Sequence, residues 1–396
     1  MSITLHKDFL GTPFHAEVSG DQIKWVNKID ESNFLFGCPS ASNSIEALLH
    51  LYGLEVTEFV PKSFRRAFEQ CGISDVPWHL ALPKNLFMKR LKEVISELIS
   101  IENVFNESEY PGFFVETNSL FSNLENATID RPLTMALLKK NDCHALKSIL
   151  EMSKECRLPL PKYDRVSTKT GRLTIKGGPQ ILTLNKEFRS IFSSSKAGGR
   201  LFEIDFVSLE PRVALNFAGV HASNDVYLSF LQDSNISVSR DTAKLAVLCS
   251  LYGAGNRRLD SLLQKEDTNV LGSQLVKAVS KYFKLPSLKR FLSNQARDGM
   301  IQNYFGRPIE VDSVRESILV NNYLQSTAAD VAIAGFNSFV KKFAKKCKPL
   351  FIIHDALIID VDKEHLDEIQ RYVYNGYDMP TLGNFPLKIK EFNHHE

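Results

Sequence analysis

Apolar and polar positions divide the chain into three stretches of different character. Residues 1–83 mix short apolar runs with Gly- and Ser-rich punctuation such as Phe36-Gly37-Cys38-Pro39-Ser40, which predicts a small mixed domain with no chemical motif. Over 84–160 the spacing becomes helical: Leu86, Leu91, Val94, Leu98 and Ile101 recur near the helical period, with Lys84, Lys89, Arg90 and Lys92 between them. By itself such a charge run reads as a solvated helix face. After Pro159 and Pro161, strand-like runs separated by turns take over, among them Arg172-Leu173-Thr174-Ile175 ahead of Gly177-Gly178-Pro179.

Three segments of this last stretch can carry chemistry. Leu201 to Phe206 reads as a short strand with Asp205 at its exit, and Pro211 suits the first turn of a helix that follows. Read alone, a strand-end Asp is more simply a helix cap than a metal ligand. In Leu350 to Ile359, two apolar runs flank His354-Asp355, which predicts a tight hairpin with that pair at its tip; in isolation they are ordinary turn residues. The third segment is a helix from Arg240 that Ser239 can cap and Gly253 can end. Arg240, Lys244, Leu248 and Tyr252 recur every four residues, so two cations, an apolar residue and an aromatic share one slowly drifting stripe beside the apolar stripe of Ala243, Val247 and Leu251. One face can then meet a triphosphate, a sugar and a base in turn. Taken singly, Leu248 and Tyr252 read as core.

Composition narrows the partners. The 396 residues carry a net charge of only +2, so any nucleic acid must be held by a local groove rather than by a global basic field. The six cysteines show no C-x-x-C spacing, which argues against a zinc site and a disulfide framework and for reduced thiols. No apolar run approaches the roughly 20 residues that span a bilayer, and the N-terminus lacks the order of a signal peptide. No membrane partner is expected, and the predicted location is the cytoplasm of a bacterial or phage-infected cell, with an organelle left open.

In their order along the chain, the three segments resemble motifs A, B and C of the family A DNA polymerases, the group of bacterial polymerase I and its phage relatives. Asp205, Glu210 and Arg212 match motif A; Arg240, Lys244, Tyr252 and Gly253 match motif B; His354 and Asp355 match motif C. Asn321 to Asp330, Thr170-Gly171-Arg172-Leu173 and Phe305-Gly306-Arg307 match further segments in the right places, so the resemblance runs from about Thr168 to Lys390. The departures are Leu248 for an aromatic, Ala356 for the Glu that follows the motif C Asp, and Ser326 for a Gly. The family's Gln-Asn pair is also missing near Gln180, and a short stretch before Lys244 leaves only Asp225-Val226-Tyr227 near the place of a triphosphate-binding His. No Asp-x-Glu precedes residue 160, so the form is a short phage- or mobile-element-type one without proofreading.

The resemblance implies an α+β right-hand fold: an N-terminal domain over 1–83, a thumb-like helical region over 84–160, palm over 161–235, fingers over 236–300 and palm again over 301–396. The palm would be an antiparallel sheet carrying Asp205 and Asp355. It implies a DNA-directed DNA polymerase, a nucleotidyltransferase acting as a monomer on primer-template DNA and deoxynucleoside triphosphates. Two Mg2+ ions, with Mn2+ as a substitute, would be held by Asp205, Asp355 and the backbone carbonyl of Phe206. Arg240 and Lys244 would grip the triphosphate, Lys244 also as an acid, with Leu248 and Tyr252 against the nucleotide. Glu210 beside Tyr252 would exclude a ribose 2′-OH. Arg172, Asn321 and Gln325 would read minor-groove acceptors, His354 would meet DNA, and Arg307 and the basic helix near Lys89 would hold phosphates. Two rivals stay open: a single-subunit RNA polymerase-like enzyme, which shares the palm acids but lacks a Glu at the place of Glu210, and a catalytically inactive DNA-binding relative, suggested by Ala356.

Overall fold

The computed structural model describes residues 3–393 other than 20–21, 31–32, 39–40, 42, 221–223, 254–256, 267 and 313–314, with the backbone only at 257, 258 and 297. Pro39 and Ser40 of the early punctuation lie outside the described residues. The chain forms two compact units, Met1–Ser122 and Asn123–Glu396. Among the described residues no disulfide joins the cysteines, and no helix is long and apolar enough to cross a membrane.

The first unit holds a four-stranded mixed sheet in the order Gln22–Val26, His15–Ser19, Ile3–Leu5, Phe34–Phe36, with only the last pair parallel. Its longest helix, Lys84–Asn106, buries Leu91, Val94, Leu98 and Ile101 along the predicted stripe, with Phe87 rather than Leu86 at its start. Between them, Lys89 and Arg90 both reach Glu93, at 3.9 and 2.7 Å, as a solvated helix face does. The helical stretch over 84–160 is divided: Lys84–Asn106 and Tyr110–Ser122 belong to the first unit, Arg131–Lys140 and His144–Met152 to the second.

In the second unit, β1 (Lys162–Asp164) pairs with β2 (Thr174–Gly177). There follow β3 (Arg200–Phe206), α1 (Leu209–Ala218), α2 (Val226–Ser234), α3 (Arg240–Tyr252), three helices over 257–295, the 28-residue α4 (Glu316–Phe343), β4 (Cys347–Ile353), β5 (Ala356–Val361) and β6 (Leu387–Glu391). The main sheet runs β4-β5-β3-β6 with every neighbouring pair antiparallel. Because strand side chains alternate, Phe202, Ile204 and Phe206 share one face while Glu203 and Asp205 share the other. Gly335 in mid-α4 marks the close approach of that helix: a Cβ there would stand 2.7 Å from Cζ of Phe206. A helix-interior glycine costs roughly 1 kcal/mol, which the packing of Phe206 against α4 offsets.

Strand β4 lies at the sheet edge, where Pro349 costs no ladder bond and the register shifts before Phe351. The Tyr163 hydroxyl of β1 then takes over the pairing of Ile352: it accepts from the amide and donates to the carbonyl, both at 2.7 Å. Burial pushes the Tyr163 phenol up, so it stays protonated for this work.

A buried polar network ties the segment before β2 to α4. Arg165 and Asp330, 2% and 1% exposed, pair at 2.8 Å, and the other Asp330 oxygen accepts from Asn303 Nδ2 at 2.7 Å. Asn303 Nδ2 also donates to Ser326 Oγ at 3.1 Å, which gives the hydroxyl at that departure from the family pattern a partner. Arg307, expected on DNA, is completely buried, and its Nη2 donates to the carbonyls of Arg165 and Thr168 at 2.8 and 3.4 Å. A guanidinium shut away from solvent and engaged by carbonyls offers no charge to a phosphate, so Arg307 is an internal brace rather than a DNA contact.

Breaking a buried pair strands its partner's charge, so Asp330→Ala should cost about 3–5 kcal/mol in urea unfolding. A loss no larger than the roughly 1 kcal/mol of an exposed pair would contradict this role.

Candidate active site

The β3–β5 register sets Asp205 opposite Ala356, with Asp355 the next residue in a turn closed by Ile353 and Ala356. His354 takes the left-handed conformation, φ +54°, that a two-residue hairpin turn requires. It is exposed, whereas Asp355 is half-buried. The cap reading of Asp205 does not hold, because Ser208 occupies the cap position of α1 and Asp205 faces β6 instead.

Glu210, in the first turn of α1, joins the other segments to this hairpin. It accepts from Arg172 Nη2 at 3.0 Å, and its charge adds to the burial that pushes up the phenol of Tyr252 at the end of α3. Burial pushes the Asp355 carboxyl up to about 6, reinforced by the charges of Glu210 and Asp205 and opposed by Arg172. Asp355 and Arg172, with His354 and Gly171, line a cleft of about 450 Å3 whose opposite wall includes Ala329 and Ile333 of α4. Asn321 and Gln325 lie one turn apart on α4, half-buried, with Gln325 Nε2 donating to Asn321 Oδ1 at 2.6 Å.

Helix α3 has the predicted ends: Ser239 Oγ accepts from the Thr242 amide at 3.1 Å, and Gly253 takes φ +70°. Ala243, Val247 and Leu251 are buried, Leu248 and Tyr252 half-buried, and Lys244 and Arg240 exposed. Arg240 Nε donates to Asp225 Oδ2 at 2.6 Å, with its guanidinium 5.3 Å from the Tyr227 ring centroid. Asp225 also caps α2 through the amides of Tyr227 and Leu228. Arg212, a motif A match, is buried and donates to the carbonyls of Val207 and Asn224 at 3.2 and 2.7 Å, fixing the chain that leads to Asp225.

Sequence reasoning missed Lys388, whose Nζ lies 2.9 Å from Asp205 Oδ2. The Lys-Ile-Lys alternation of β6 opposite Glu-Ile-Asp of β3 was the available signal. Among the described residues no group of three or more His, Cys, Asp or Glu is arranged to hold a metal. What the chain offers is two carboxylates from neighbouring strands and the carbonyl at the end of β3. These are hard oxygen donors, and a divalent cation would offset both the burial of the Asp355 carboxylate and the neighbouring charges of Glu210 and Asp205.

An antiparallel sheet presenting two acids at the ends of adjacent strands, beside a cationic helix, is the palm of a right-hand polymerase. The sequence model of DNA polymerase family A matches residues 89–390, and the chain belongs to that family. DNA polymerase I of Bacillus caldotenax is 21% identical over 264 residues, covering 57% of this chain and 30% of its own length. For Lactococcus lactis subsp. lactis (strain IL1403), DNA polymerase I is 24% identical over 271 residues, 58% of this chain and 30% of the relative. For Aquifex aeolicus (strain VF5) the figures are 22% over 271 residues, 61% and 46%. The chain thus spans between 30% and 46% of the length of these relatives. Among solved structures, the POL domain of Pol1 from M. smegmatis in complex with DNA primer-template and dNTP aligns over 88% of this chain and 63% of that one, at 16% identity and a TM-score of 0.49.

Since the folded state holds the Asp355 proton more tightly than the unfolded chain, this carboxyl favours folding below its ordinary value of 3.8, and that advantage is lost as pH rises through about 6. In EDTA, Asp355→Asn should therefore stabilise the protein by about 1–3 kcal/mol near pH 7.5 and by nothing near pH 4. An equal gain at both pH values in urea titrations would contradict a buried, raised Asp355 carboxyl.

Proposed function

We propose that this chain is a template-directed DNA polymerase that adds deoxynucleotides to the 3′ end of a primer. The observation that carries the reading is the placement of Asp205 and Asp355 at the ends of adjacent palm strands, with the Arg172–Glu210–Tyr252 cluster beside them. The relatives' name, DNA polymerase I, supports it.

In this reading, Asp205, Asp355 and the Phe206 carbonyl hold two Mg2+ ions, or Mn2+ in their place. When bound, such ions acidify the primer hydroxyl and offset charge on the triphosphate. The primer hydroxyl loses its proton to solvent and its oxygen bonds to the α-phosphorus as the bond to the bridging oxygen of the β-phosphate breaks, and pyrophosphate leaves. Arg240 exchanges Asp225 for the triphosphate, and Lys244, one turn along the same exposed face, donates a proton to the departing pyrophosphate. Leu248 supplies apolar contact to the nucleotide. Glu210, paired with Arg172 and beside Tyr252, stands where a ribose 2′-OH would lie, so the exclusion is steric. Arg172, Asn321 and Gln325 meet the minor groove, and His354 meets DNA at the hairpin tip. The palm spans 161–235 and 301–396, the fingers 236–300, and the thumb-like helices 84–160. The enzyme acts as a cytoplasmic monomer.

Primer extension with Mg2+ should favour deoxynucleotides over ribonucleotides by at least about two orders of magnitude, and Glu210→Ala should narrow that ratio. Asp355→Ala should reduce extension by about three orders of magnitude or more while leaving primer-template binding nearly intact. Equal use of both nucleotides by the unmodified protein would end the DNA assignment, and unchanged extension in Asp355→Ala would end the metal assignment.

A further inference from the structure

Strand β6 sets two lysines against the two acids of β3. The antiparallel register places Lys390 opposite Glu203 and Lys388 opposite Asp205, on one face of the sheet. The two pairs differ in what surrounds them. Glu203 is 7% exposed and bound by two cations, Arg189 Nη1 at 2.6 Å and Lys390 Nζ at 3.5 Å. Glu203 is thus paired independently of Lys388. Asp205 is 22% exposed and meets Lys388 Nζ, itself on a side chain 53% exposed, at 2.9 Å from Oδ2. On the other flank of Asp205 stands Ala356, which brings no charge. One oxygen of the carboxylate is therefore occupied by an ammonium group.

We propose that Lys388 is a positioning residue that holds Asp205 Oδ2 and competes with the divalent cation for it, so that metal loads with the nucleotide rather than onto the DNA-free protein. The proposal rests on the reading of Asp205 and Asp355 as the metal-holding pair. An ammonium and a divalent ion cannot use the same lone pair, and they repel each other across the few ångströms between adjacent positions. Binding metal alone thus requires Lys388 to leave without compensation. A triphosphate supplies that compensation, because its charge offsets the incoming ion and gives the flexible lysine a new anionic partner. Ala356 acts in the same direction, since one carboxylate fewer draws metal to the palm. If Lys388 were only a rung in a strand ladder, its loss would affect stability and leave metal affinity unchanged.

Mn2+ binding to the full chain, followed by electron paramagnetic resonance titration without DNA, separates these roles. Lys388→Met, which keeps the apolar stem, should bind Mn2+ about three- to tenfold more tightly than the unmodified protein, allowing for solvent screening. Lys388→Gln serves in its place if the Met variant does not fold, and Lys388→Arg should bind as the unmodified protein does. The gain should disappear in the Lys388→Met/Asp205→Asn double variant and shrink when dATP is present. Unchanged or weaker Mn2+ binding in the folded Lys388→Met or Lys388→Gln protein overturns the proposal, as does a gain that survives Asp205→Asn. If Asp205→Asn alone leaves Mn2+ binding unchanged, the metal assignment falls and the proposal with it.

Discussion

A one-residue slip of β3 against its neighbours would turn Asp205 toward α4 and bring Phe206 out to the polar face, because strand side chains alternate. Two features oppose that slip from opposite sides of the sheet. On the apolar side, the Phe206 ring meets the bare backbone at Gly335 and packs 5.4 Å from Phe336. On the polar side, Glu203 is clamped between Arg189 and Lys390. With β3 locked, pairing to β5 brings Asp205 beside the turn that carries Asp355, and pairing to β6 brings Lys388 to Asp205. The chemistry of the site is a consequence of register.

The second constraint is polar and buried. Arg165, Asp330, Asn303 and Arg307 connect the chain before Arg172 to α4 through hydrogen bonds made away from water. Such groups are expensive to bury unless paired, so the network specifies one arrangement of these segments. Arg172 then reaches Glu210, and Glu210 reaches Tyr252. Burial at the hairpin pushes the Asp355 carboxyl up, and the charges of Glu210 and Asp205 add to it, so a cation is the natural complement.

Much of this frame was legible along the chain, for local reasons. The strand at Asp205, the His354-Asp355 hairpin and the capped helix Arg240–Tyr252 announce themselves through apolar period, turn residues and the Ser239 and Gly253 ends. What each acid does was not legible singly, since a strand-end Asp and a turn Asp are common; their adjacency depends on pairing between segments far apart in sequence. The resemblance places Arg307 on phosphates, and only its contacts with the 165–168 carbonyls reveal a buried brace. Lys388 belongs to no motif and becomes visible only when β6 is laid against β3. Asp225 was noticed for its position, but its grip on Arg240 depends on how α2 and α3 pack.

In the proposed function, Asp205 and Asp355 jointly hold divalent cations during nucleotide addition. Anomalous diffraction from Mn2+ in crystals of the chain with primer-template DNA and an incoming deoxynucleotide tests it most directly. Two manganese peaks about 4 Å apart are expected, both within reach of Asp205 and Asp355, with Lys388 withdrawn from Asp205 Oδ2. Manganese bound to other residues while these two carboxylates stay bare would contradict it.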